Sequence, residues 1–258
     1  MDSNRFIILL LGLLITNNIF CQTDKKIHIW HDAIRTDYSF DSFNIEFLKD
    51  KDLSNIISNK IRFDGDPLMY YSGVFGTNYT RIDFHFSATK KDSLSLDYQI
   101  TGFNRLGANI RPINGLMKVT DLFMYKENYG ANVLYLVVLD CKFYEPGDKN
   151  GDGYFSGIYT TIFYVENNDI KWIYSESGDF SKYNCVFVGS WQKYNTDNLK
   201  STIFSFNPIG LYNELPMCEE FYKTHYNCDD YVIPKNKYVK NGWINYLTEK
   251  RIQWWNSE

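Results

Sequence analysis

The residues with the clearest potential chemistry lie in one stretch: Gly147-Asp148-Lys149-Asn150-Gly151-Asp152-Gly153-Tyr154-Phe155-Ser156. Asp148, Asn150 and Asp152 alternate, and Gly153 follows, as in the first half of a helix–loop–helix calcium loop. Ca²⁺ is a hard cation that wants several oxygens, and alternate residues converge on it when a glycine permits the bend. On this reading the Tyr154 carbonyl and the Ser156 hydroxyl continue the ligand set, with Glu145, Asp140 or water completing it. The position that would carry the bidentate Glu is Tyr159, however, and the flanks read as strands. A plain strand connection competes, because Asn-Gly and Asp-Gly tolerate positive φ. A tight hairpin needs only about two residues there, and this connection is longer. Calcium at Asp148, Asn150, Asp152, Tyr154 and Ser156 and a plain connection both stay open.

Other candidates are thinner. His28 and His31 stand three apart, but His85 and His225 are distant in sequence, so a zinc site has no evident third ligand. Arg105 and Arg111 flank a Gly-bearing turn and could hold an anion; as solvated loop charges they need no ligand. There is no Gly-x-Ser-x-Gly, no His-Glu-x-x-His and no phosphate loop. Carboxylate pairs for glycoside chemistry are defined by distance in space, which spacing along the chain does not supply. No residue is assigned a catalytic role. Aromatic side chains are plentiful, and Tyr70, Tyr71, Trp172, Tyr174, Trp191 and Tyr194 offer either core packing or platforms for sugars and apolar ligands.

The elements that must position these residues follow from periodicity. Residues 43–61 space apolar positions by three and four, predicting one helix or two short ones. Thr80–Phe86 then alternates, with Ile82, Phe84 and Phe86 on one face and Arg81, Asp83 and His85 on a face expected to be solvated. Similar runs cover Leu94–Phe103, Leu116–Tyr125, Val133–Tyr144, Ile158–Val165, Ile170–Tyr174, Cys185–Tyr194 and Thr202–Phe206. Short strands without intervening helices predict a mainly β fold, an antiparallel meander forming a barrel or sandwich. An amphipathic stretch, Trp243–Trp255, predicts a C-terminal helix in which Trp243, Leu247, Lys250 and Trp254 share a face. Residues 22–258 read as a single domain with an irregular, cysteine-bearing segment at 207–238.

The apolar run Phe6–Ile15 is too short to span a bilayer and fits the core of a secretory signal peptide over residues 1–21. Cleavage after Cys21 leaves Gln22 first; lipidation of Cys21 is the rival reading, disfavoured by Phe20 before it. No later segment is long and apolar enough to anchor the chain. Cys141, Cys185, Cys218 and Cys228 then permit two disulfides in an oxidising compartment, in any of three connectivities. Cys218–Cys228, across a short polar loop, is the preferred pair; Cys141 reads equally as a buried free thiol. A net charge of −4 from 27 basic and 31 acidic residues argues against nucleic-acid binding.

Three segments carry a family likeness: Asp97-Tyr-Gln-Ile-Thr-Gly-Phe-Asn-Arg, Phe187-Val-Gly-Ser-Trp-Gln-Lys-Tyr and Lys237-Tyr-Val-Lys-Asn-Gly-Trp-Ile-Asn-Tyr. The chain resembles uncharacterised exported proteins of Bacteroidetes-type bacteria. The resemblance implies the periplasm or outer surface and carries no activity or site residue. The expectation is an exported, non-enzymatic β domain for a small-molecule, glycan or protein partner, with structural calcium as an option. A hydrolase acting on envelope material or polysaccharides, and an envelope assembly or inhibitor protein, are the alternatives.

Overall fold

A computed structural model describes residues 27–58, 70–127, 130–173, 183–205, 222–223, 233–244 and 253–256. The signal peptide expected at residues 1–21, and Tyr174, His225, Cys218 and Cys228, lie outside the described residues. Helix α1 covers residues 27–36. It is followed by β1 (Phe40–Phe43), a 3-10 turn (Ile45–Leu48) and the single-turn helix α2 (Ser54–Ile57). The strands continue as β2 (Tyr71–Phe75), β3 (Thr80–Lys91), β4 (Asp97–Leu106), β5 (Asn109–Tyr125), β6 (Leu134–Tyr144) and β7 (Gly153–Glu166). Then come β8 (Asp169–Trp172), β9 (Val186–Lys193) and β10 (Leu199–Ser205), the small pair β11 (Tyr222–Lys223) and β12 (Ile233–Pro234), and α3 (Asn236–Tyr238) running into a widened turn at Val239–Trp243.

All strand pairs are antiparallel. Order β5-β4-β3-β2-β10-β9-β7-β6 returns to β5, so the main sheet closes on itself. The ring is uneven: β2 meets β10 over only four residue pairs, while β6 and β7 share eleven. It is therefore not a clear barrel. β1 continues beside the far end of β5, and β8 beside the far end of β7.

Alternation along each strand divides the apolar residues into two cores. The inner core holds Tyr71, Phe84, Phe86, Tyr98, Phe143, Phe155, Tyr159, Phe163, Phe187 and Phe204. Phe204 stacks on Phe84 at 4.2 Å and on Phe187 at 4.6 Å between centroids. Such contacts contribute about 1 kcal/mol each beyond area burial. Gly157 and Gly189 face each other in β7 and β9, where a Cβ on either would sit within 2.6 Å of the partner strand's backbone. The space their missing side chains leave is taken by the Phe187 ring.

Segment 44–58 plugs one end of the ring, burying Leu48, Leu53, Ile56 and Ile57 in the inner core. The Lys91 ammonium donates to the carbonyls of Leu48, Lys49 and Lys51 at 2.6, 2.7 and 2.7 Å. Tyr71 donates to the Ile57 carbonyl at 2.8 Å and meets the Tyr159 hydroxyl at 3.0 Å. The second core lies outside the ring, where Trp30 and Ile34 of α1 cover Leu134, Leu136, Val138, Ile162, Val186 and Ile203.

The described part of the 43–61 region forms two short helical turns, Ile45–Leu48 and Ser54–Ile57, one of its two expected forms. Other sequence expectations change. β2 is an unforeseen strand with all five residues buried, Tyr71 and Phe75 facing the inner core and Val74 the outer. The Arg81–Asp83 face of β3 is not solvated: both side chains are buried. The C-terminal helical segment falls at Asn236–Trp243, with residues 245–252 outside the described part.

Of the open cysteine readings, the buried free thiol is the one seen at Cys141, and Cys185 is a buried free thiol as well, so neither forms the second disulfide. Cys141 stands opposite Gly157 in β7, whereas the Cys185 sulfur sits 3.3 Å from the Thr161 hydroxyl. Four residues of strand separate those two positions, about 13 Å. A disulfide tolerates a Cα separation of about 7 Å at most. Among the described residues no helix is long and apolar enough to cross a membrane.

Candidate functional site

Four connections gather at the end of the ring opposite the plug: 76–79, 107–108, 145–152 and 194–198. The β6–β7 loop, 145–152, is the stretch singled out by its Asp/Asn/Gly spacing, and its anchoring is ionic. Asp152 Oδ2 accepts from the backbone amides of Gly147 and Lys149, both at 3.1 Å. Its Oδ1 accepts from Arg111 Nε at 2.9 Å. Burial raises the Asp152 pKa, but the Lys149 amide, Arg111 and the Gly147 amide outweigh it and hold the carboxyl below the usual range.

Glu145 completes the arrangement. Its Oε1 accepts from Asn104 Nδ2 at 2.9 Å and lies 3.9 Å from Arg111 Nε. Its Oε2 accepts from the Gly153 amide at 2.7 Å and the Trp191 indole at 3.1 Å. Two buried carboxylates thus share one guanidinium, and both are satisfied by N–H donors, as buried charges must be.

The other proposed calcium ligands do not converge with Asp152. Asp148 is exposed, Asn150 accepts from Lys193 Nζ at 2.7 Å, and Tyr154 and Ser156 already belong to β7. For Ca²⁺ to take Asp152, it would have to displace two amides and the guanidinium. Among the described residues, no group of three or more His, Cys, Asp or Glu gathers to hold a metal. His31 instead lies 3.2 Å from Asp121, which Arg35 also contacts at 3.0 Å, fastening α1 to β5. Arg105 grips Asp83 with Nε and Nη2 at 3.0 and 2.6 Å.

The loop also supports a row of aromatic rings on the outer face. Tyr144 and Tyr154 are directly opposed in β6 and β7, with centroids 6.0 Å apart. Tyr194, just past β9, continues the row at 6.1 Å. Tyr194 donates to the backbone carbonyl of Glu145 at 2.7 Å, and Tyr154 to Gln192 Oε1 at 2.5 Å. Gly147 has φ 88°, and a Cβ there would press on the Tyr194 ring at 3.4 Å. Lys142 lies over Tyr154 at 4.8 Å and Tyr144 at 5.4 Å.

Tyr144 is 37% exposed and Leu116 beside it 41%. Asn114 and Thr101 extend the same exposed register row. A wet sheet face with half-exposed tyrosines, a lysine and amides can stack on a ligand and hydrogen-bond its edges.

The remaining aromatic candidates divide differently: Tyr70, Tyr71 and Trp191 are buried, and Trp172 is half-buried. Tyr144 was missed as a site residue. Its signal was the matching Tyr144/Tyr154 positions at the two ends of one connection. No family model, curated protein or solved structure matches the chain.

Proposed function

We propose that this chain is an exported, non-catalytic binding domain whose Tyr144–Tyr154–Tyr194 row takes a glycan chain. The row is the observation that carries the reading: three neighbouring rings on β6, β7 and just past β9, with successive centroids 6.0 and 6.1 Å apart, on a face with polar neighbours. Flat apolar rings flanked by Gln192, Asn114 and Lys142 suit a ligand with C–H faces and hydroxyl edges. The apolar run Phe6–Ile15 and the resemblance to exported Bacteroidetes-type proteins support export, to the periplasm or the outer surface.

The hydrolase alternative would rest on Glu145 and Asp152, the acids brought together at this end. Their oxygens already accept N–H donors, which favours binding over proton transfer. An assembly or inhibitor role would use a broad apolar patch. The exposed apolar side chains Ile29, Leu94, Leu116 and Ile244 stand on separate elements. Structural calcium remains a proposal for the β6–β7 loop; a calcium-dependent rise in the unfolding midpoint supports it, and an unchanged midpoint removes it.

Affinity electrophoresis through gels containing soluble polysaccharides (xyloglucan, galactomannan, mixed-linkage β-glucan and pectin) tests the main reading. Retardation by at least one of them, relieved in Tyr144→Ala, is expected. Equal mobility in every gel counts against it.

A further inference from the structure

The inner side of the hairpin end holds more hydrogen-bond donors than acceptors. Arg111 uses only Nε, toward Asp152. Neither Nη1 nor Nη2 makes a hydrogen bond among the described residues, although the side chain is only 17% exposed. Lys200, on the inward side of β10, lies 5.0 Å from the Phe75 ring centroid and 5.6 Å from that of Trp191. Its ammonium has no hydrogen bond or ion pair among the described residues.

The two cations are linked by contacts: Lys200 over Trp191, the indole on Glu145 at 3.1 Å, and Glu145 3.9 Å from Arg111. Both carboxylates are already satisfied. Formal charge in the cluster balances, while the Nη pair and the ammonium still lack acceptors. None of these donors is among the buried partnerless atoms of the described residues, so water reaches them and a ligand's acceptor can take its place.

We propose that this cluster binds the carboxylate of a small ligand, with the Arg111 Nη pair as the fork and Lys200 as the second cation. A guanidinium presents parallel N–H groups that match a carboxylate's two oxygens, whereas an ammonium acts as a point charge. Asp152 holds Nε and so fixes the direction in which the fork points. Gly151 keeps the approach clear, since a Cβ there would stand 3.5 Å from Nη2. Arg111 stands on β5 and Lys200 on β10, on the inward side, whereas the tyrosine row is on the outer side of β6, β7 and the end of β9, so the site does not depend on that row.

Titration calorimetry on the exported chain tests the site, with sodium D-galacturonate, N-acetylglycinate, D-galactose and phosphate as probes. Galacturonate, N-acetylglycinate or both bind, and galactose binds at least about tenfold more weakly than galacturonate. Galacturonate alone identifies a uronic acid as the source, N-acetylglycinate alone a peptide-type carboxylate. Lys200→Met keeps the packing on Phe75 and Trp191, and Arg111→Lys keeps a cation near Asp152 while removing the fork. Each weakens carboxylate binding about tenfold, and Lys200→Met leaves the urea midpoint in place. No carboxylate heat at about 10 mM ligand, phosphate binding as tightly as carboxylate, or Lys200→Met binding like the wild type overturns the proposal.

Discussion

The Tyr194 hydroxyl donates to the backbone carbonyl of Glu145 at 2.7 Å, while the Glu145 side chain accepts from the indole of Trp191 at 3.1 Å. One residue therefore joins the outer tyrosine row to the buried ionic cluster. The position of the rings depends on the carboxylates beneath them, and disturbing either carboxylate should disturb both.

Asp152→Ala removes the acceptor for two loop amides and for Arg111 Nε, leaving Glu145 at 3.9 Å as the guanidinium's remaining carboxylate. Breaking a buried pair costs about 3–5 kcal/mol, and the remaining carboxylate and relaxation of this loop toward solvent bring the expected loss nearer about 3 kcal/mol. Urea unfolding at pH 7 measures it. Ligand binding by the tyrosine row should weaken in parallel.

Acid should destabilise the fold through the same group. Asp152 and Asp121 have carboxyls held below their ordinary pKa; burial opposes this, but amides and Arg111 outweigh it in one, and His31 and Arg35 in the other. A depressed folded-state pKa adds stability above the unfolded value of about 3.9 and loses it as pH falls through the folded value. Urea midpoints should be level near neutrality and fall steeply below about pH 4. Asp152→Asn should show a shallower fall; an equal slope would remove Asp152 from the account.

Lys91 holds segment 44–58 by donating to three carbonyls. Lys91→Met keeps the stem and removes all three donors. Charged hydrogen bonds contribute about 1.5–3 kcal/mol each, and water will rescue part of the loss. A destabilisation of about 3 kcal/mol is expected, with amide exchange accelerated first at Leu53–Ser58.

Cys141 and Cys185 should be silent to thiol reagents in the native state. Burial pushes both thiols up, and the thiolate is the reactive form. Reaction with an aromatic disulfide reagent should begin only at the urea transition. Prompt labelling of either would contradict the inner core described above.

Legibility in the sequence followed apolar patterning. β3 stood out because one face carries large apolar residues, and β6, β7 and β9 as long apolar runs that supply both cores. β2 escaped because all five of its residues are buried, so Tyr71-Ser-Gly-Val-Phe75 shows no polar alternation. Arg81 and Asp83 were read as solvated, yet Asp83 accepts from Ser72, Arg81 and Arg105 and needs no water. Helix α1 had a signal in Ile27, Trp30 and Ile34 that the nearby histidines obscured. The Asp/Asn/Gly spacing at 148–153 correctly marked an unusual loop. It could not reveal Arg111, 41 residues away, as the group on Asp152. Partners set by strand register leave no local trace.

The central claim concerns the tyrosine row, and calorimetric titration with an oligosaccharide from whichever polysaccharide retards the chain tests it most directly. Each ring should contribute about 1–2 kcal/mol. Tyr144→Ala should then weaken binding about tenfold and Tyr144→Ala/Tyr154→Ala about a hundredfold, with the Tyr144→Ala urea midpoint lowered only by what one half-exposed cross-strand pair contributes, about 1 kcal/mol or less. Wild-type affinity in the double variant would contradict the account.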